Sequence, residues 1–199
     1  MKKVDEARLE RDPEYRFEYL AEFIGFSAED HSAIQMAAMH LGPMIPQLVD
    51  ATYQRLLAYD ATARHFMPQQ HGFDGPLPAN LDELAASAQI RFRKEHLGRY
   101  FMQIFGRSFD NKFVAYLDMV GKMHTTKAGN PNIHVPLVQM NALMGLLADI
   151  LAGAIGEMQL ESEARLATLR AFQKLLWIQN DFITRHYDGT TNLVAERKS

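Results

Sequence analysis

Nearly every segment of this chain longer than ten residues repeats its apolar side chains at the period of an α-helix, and no stretch alternates cleanly enough for a half-exposed strand. The expected fold class is therefore all-α. Proline, glycine and capping residues punctuate the pattern. Asp12-Pro13 sets a cap before a proline at the first helical position and opens a helix from about 13 to 24. Ser27-Ala28-Glu29-Asp30 resembles a capping box and opens a second, which ends near Gly42-Pro43. A third runs from about Met44 to Tyr59 and carries Ile45, Val49, Thr52, Tyr53 and Leu56 on one face. A brief helical turn, ATARHFM, follows it. Residues 68 to 80, PQQHGFDGPLPAN, hold three prolines and two glycines and read as a surface loop.

Beyond that loop the pattern predicts a continuous helix from about Leu81 to Phe105, a turn at Gly106-Arg107-Ser108, and a helix that starts near Phe109. A loop KAGNPN and two long helices, about His134 to Ile155 and Ser162 to Tyr187, complete the chain. Eight helices ending in a long pair suit either a globin-like stack around a buried ligand or an elaborated bundle. At 199 residues with 47% hydrophobic side chains, one compact domain spanning 1–199 is expected.

Composition removes several functions. With no cysteine there is no disulfide, no thiolate metal ligand and no haem attached through Cys-x-x-Cys-His, so a metal would rest on His, carboxylate or cofactor nitrogen. A net charge of -3 and a pI near 6.2 speak against nucleic acid as a partner, since that binding draws on a basic surface. The N-terminus has no secretory apolar run, and the stretch ALMGLLADILAGAIG is interrupted by Asp149 and reads as too short to span a bilayer comfortably. A cytoplasmic protein is expected, with no membrane partner. Eleven Met and twelve Phe against one Trp give an interior able to line an irregular cavity as readily as fill a solid core.

The segment FDNKFVAYLDMVGKMHTTKAGNP poses the functional question. Phe113, Leu117 and Val120 share a stripe, and His124 continues it toward the core before Thr125, Thr126, Lys127 and Gly129-Asn130-Pro131 stop the helix. The backbone carbonyls of a last helical turn are unpaired, so one of them can accept from Nδ1 and leave Nε2 free for a metal. Spacing alone leaves the alternative of an ordinary hydrogen-bonded core histidine. Tyr53 is either a donor to a metal-bound ligand or a tyrosine whose hydroxyl reaches the surface. On a wheel centred on Leu97, the residues Ala86, Ile90, Phe101 and Ile104 cluster near the centre, whereas His96 sits about 100° away at the helical period. Leu97 is therefore a pocket wall and His96 a rim residue and rival ligand.

The other histidines, His31, His40, His65, His71, His134 and His186, show no metal-ligand spacing and read as surface residues. The basic run Arg91, Arg93, Lys94 reads as a solvated helix face, with contact to porphyrin propionates as the alternative. No paired carboxylates, phosphate loop or nucleophile elbow is present.

Taken in order, Thr52-Tyr53, Arg99-Tyr100, Ser108-Phe109-Asp110 and Val120-Gly121-x-x-His124 resemble the protoglobin and globin-coupled sensor family over about residues 13 to 187. The resemblance implies a globin-like helical sandwich with an extra N-terminal helix that binds haem b, with His124 as the axial ligand to iron. It implies Tyr53 as a donor to bound dioxygen, and pocket positions at Leu97, Leu146 and Ile150, the last two following Val135-Pro136. With Phe101 and Val120 from the apolar stripes, these make the expected cofactor site. Reversible binding of dioxygen, carbon monoxide or nitric oxide is the implied function, and a homodimer through the last two helices the implied assembly. Thr52 stands where members often carry tryptophan, and the loop at 68 to 80 is longer than usual. The chain ends in NLVAERKS soon after the last helix and so resembles the stand-alone branch rather than the sensors. A haem-free interaction module is the rival reading, and oxidative turnover of the iron a third.

Overall fold

The computed structural model describes residues 1–128 and 133–187. Its helices are α1 (Glu6–Arg11), α2 (Pro13–Ile24), α3 (Ala28–Leu41), α4 (Ile45–Leu57), α5 (Asp60–Ala63), α6 (Leu81–Leu84), α7 (Ala88–Gly106), α8 (Asn111–Lys122), α9 (Leu137–Glu157) and α10 (Ser162–Thr184), with no strand among the described residues. The local signals explain most of the boundaries. The Asp12 carboxylate accepts from the amides of Glu14 and Tyr15, both at 3.1 Å, ahead of Pro13, and α2 ends at Gly25 in the left-handed region, φ 68°. The Ser27 amide donates to the Asp30 carboxylate at 2.9 Å where α3 opens, and Asp110 accepts from the Phe113 amide at 2.9 Å where α8 opens.

Helix α10 runs through the middle of the stack and packs against α3, α8 and α9; α4 lies on α7 and α9, and α3 on α7. The fully buried core side chains include Ile34, Phe101, Phe113, Leu117, Leu175 and Phe182. Arg16 of α2 grips Asp181 of α10 through two nitrogens, at 2.5 and 2.9 Å. Arg185 and His186 both reach Asp118 of α8, at 2.7 and 2.9 Å. These pairs tie the C-terminal end of α10 to α2 and α8, the frame on which His124 sits.

Four expectations are corrected here. The helix expected across Leu81 to Phe105 is two: α6 is one turn, and Ser87 caps α7 by accepting from the Ile90 amide at 3.2 Å. Ala86 consequently sits outside α7 and is exposed, so it is no part of the Leu97 stripe. A short helix, α1, precedes Pro13, held by Asp5 accepting from the Arg8 amide at 3.0 Å. Helix α8 ends at Lys122, which leaves His124 in the turn just beyond it. Finally, α9 is 21 residues long with a mean hydropathy of 1.6 over its most apolar window, long and apolar enough to cross a membrane. Its buried residues, among them Met140, Leu147, Leu151 and Ile155, pack in the core, and only 33% of that window is buried. The Gly129-Asn130-Pro131 stop and the terminal NLVAERKS lie outside the described residues.

Candidate functional site

His124 is held at three points. Its Nδ1 lies 2.8 Å from the Val120 carbonyl, its amide donates to the Gly121 carbonyl at 3.3 Å, and its own carbonyl accepts from the Val135 amide at 3.0 Å. The Tyr187 hydroxyl in turn donates to the Val135 carbonyl at 2.7 Å, so the end of α10 braces the strand of chain returning beneath the histidine. A carbonyl accepts only, which makes Nδ1 the protonated nitrogen and leaves the lone pair on Nε2. Burial, followed by the nearby Arg93 charge, holds the imidazole neutral by lowering its pKa to about 4; the Val120 carbonyl opposes them. Part of the residue's surface remains accessible all the same. Strong desolvation and accessible area agree when the open side faces a gap walled by protein rather than bulk water.

Gly121 explains the small residue in the Gly-x-x-His segment. A Cβ there would overlap the Phe182 carbonyl and lie 2.9 Å from the Ile183 Cα. Only glycine lets α8 approach α10 this closely, and that approach sets the height of the turn bearing His124.

Tyr53 is 3% exposed on α4, its ring centroid 5.6 Å from that of Phe66. Burial raises its pKa, with Arg93 pulling the other way, so the phenol stays protonated and able to donate. Phe66 is held by a buried polar ladder. Gln89 of α7, fully buried, donates to the Phe66 and Pro68 carbonyls at 2.5 and 3.2 Å and accepts from the Gln70 amide at 3.0 Å. The long loop is thereby fastened to α7 at its first residues.

Of the other expected positions, Leu97, Val120 and Ile150 are half-buried at the edge of the core. Phe101 is fully buried and forms core beneath them. Leu146 is half-buried without joining the packed core. His96 is half-buried, with Nδ1 2.8 Å from the Phe92 carbonyl and the Phe92 ring at 4.3 Å edge-on. Burial lowers its pKa as well. The back-bonded geometry is shared with His124.

Arg93 departs from the solvated face expected of it. It is half-buried, its Cζ lies 6.0 Å over the Phe66 ring, and its Nε is buried with no hydrogen-bond partner. Its neighbours behave as expected: Lys94 pairs with Asp50 at 2.8 Å and Arg91 donates to the Ala86 carbonyl at 2.8 Å. Three of the histidines read as surface residues are also partly buried. His31 stacks on Phe109 at 4.4 Å, His65 has a buried Nε2 without a partner, and His186 meets Asp118. Among the described residues no group of three or more His and carboxylate side chains could hold a metal ion.

The helical stack is that of a globin. The chain belongs to the protoglobin family, whose sequence model matches residues 13–191. Its fold is similar to that of the globin domain of a Geobacter sulfurreducens globin-coupled sensor, with a TM-score of 0.67 at 18% identity, covering 86% of this chain and 97% of that one. No curated protein matches the sequence.

Proposed function

We propose that the chain binds haem b through His124 and reversibly binds diatomic gases on the side of the cofactor facing Tyr53. The observation that carries the reading is His124 itself: a desolvated, neutral imidazole with Nδ1 committed to the Val120 carbonyl and Nε2 free. Half-buried apolar side chains from separate elements, Phe66, Leu97, Val120 and Ile150, pack against the core and are the ones that would wall the cofactor from water. The absence of cysteine excludes thioether attachment, which favours non-covalent haem b. When bound, the haem would supply an iron able to take a diatomic gas as ligand. Tyr53 then acts as a neutral donor toward a polar gas ligand, and Leu97 limits the size of what enters.

His124→Ala tests the assignment. The variant protein, mixed with haemin, should lose the spectrum of a histidine-ligated haem while keeping its helical circular dichroism. An unchanged spectrum would move the ligand to His96. We also propose a homodimer through α9 and α10, supported by the exposed apolar side chains Val138 of α9 and Leu166 and Trp177 of α10, at 72%, 57% and 66%. Sedimentation at micromolar concentration should give twice the monomer mass, and a monomer would reject it.

A further inference from the structure

The fate of Arg93 distinguishes this site from a purely apolar gas pocket. A guanidinium is charged at every physiological pH, and a charge removed from water needs a partner. No carboxylate among the described residues forms an ion pair with Arg93, and its Nε is buried without a hydrogen-bond partner, whereas Lys94 beside it pairs with Asp50 at 2.8 Å. The side chain runs inward from α7 and lies over Phe66, whose ring contacts Tyr53. Its guanidinium lies within hydrogen-bonding reach of the Tyr53 hydroxyl. A protonated phenol beside a guanidinium that keeps one buried nitrogen free is a donor set suited to negative charge.

We propose that Arg93 and Tyr53 form a paired donor set that selects small anions as ligands of the iron, with Arg93 a ligand-contacting residue rather than a surface cation. This rests on the haem-binding reading given above. The buried position of Nε favours an anion inside the pocket over a carboxylate of the cofactor, whose place is at the solvent-facing rim.

The experiment uses full-length protein, with azide titrated against the ferric form and carbon monoxide against the ferrous form, both followed by absorbance. Arg93→Met should weaken azide binding by roughly ten- to a hundredfold, the effect expected of losing one charge-assisted hydrogen bond. Carbon monoxide, being neutral, should change by no more than about twofold on the same reasoning. Arg93→Lys, which keeps the charge and loses the fork, should recover part of the azide affinity. Equal azide affinity in wild type and Arg93→Met would overturn the proposal while leaving haem binding intact. Slower haemin uptake or faster haem loss in Arg93→Met, with azide affinity unchanged in the loaded fraction, would also overturn it by assigning the residue to a cofactor carboxylate. Failure of the wild-type protein to take up haem at all would instead strike the reading beneath it.

Discussion

The two residues at the centre of the account do different jobs because burial acts on them in opposite senses. Desolvation disfavours the charged form of each, which keeps Tyr53 protonated and able to donate and His124 neutral, as the proposed ligand role requires. Replacing Tyr53 with Phe removes the donor and little volume. Dioxygen dissociation should then accelerate by about tenfold, the order expected for one hydrogen bond to a polar ligand, with carbon monoxide dissociation nearly unchanged. Equal changes for both gases would count against the donor. The imidazole also leaves a mark on the cofactor-free protein. Its folded pKa of about 4 lies below the ordinary 6.5, so between those values the unfolded chain takes up the proton and the folded one does not. Stability from this group is complete above about pH 6.5 and declines as pH falls toward 4, with His65, His96 and His186 acting in the same sense. Urea midpoints of the apoprotein at pH 7.5 and 5 should separate less in His124→Gln than in the wild type, and an identical separation would remove His124 from the explanation.

Among the elements, α8 and the turn after it determine where the ligand imidazole stands. The overlap that any Cβ at Gly121 makes with the Phe182 backbone cannot be relieved by a rotamer change, so Gly121→Ala must push α8 away from α10. A loss of about 1–3 kcal/mol is expected from such overpacking, together with weakened haem retention because His124 moves with its helix. Thermal unfolding of wild type and variant checks this, and an unaltered midpoint would show that the two helices have room to part. Much of this architecture was legible in the sequence wherever the signal was local: Asp12-Pro13, Ser27 and Asp110 each cap the helix they announce. The break before α7 was harder, since the apolar period runs on across Ala85 and Ala86 and nothing but the Ser87 hydroxyl marks the restart. Gln89 and Arg93 escaped for another reason. By the helical period Arg93 stands about 40° from Leu97, as Phe101 does on the other side, and Gln89 stands at the stripe's edge; it was their polar residue type that hid an inward position, which the chain running from Phe66 to Gln70 covers.

At the scale of the whole molecule, the stack packs α4 against both α7 and α9, although their residues lie as far apart in sequence as Tyr53 and Ile150. Periodicity could nominate Tyr53, Leu97 and His124 one at a time; the packing of α4 on α7 and α9 belongs to the fold. The most direct test of the whole account is the ultraviolet-visible spectrum of the purified ferrous protein before and after carbon monoxide. A haem Soret band that shifts and sharpens on adding the gas is the predicted result, because it reports the cofactor and a vacant axial position together. A protein that binds no haem, or a bound haem whose spectrum carbon monoxide leaves unchanged, would contradict it.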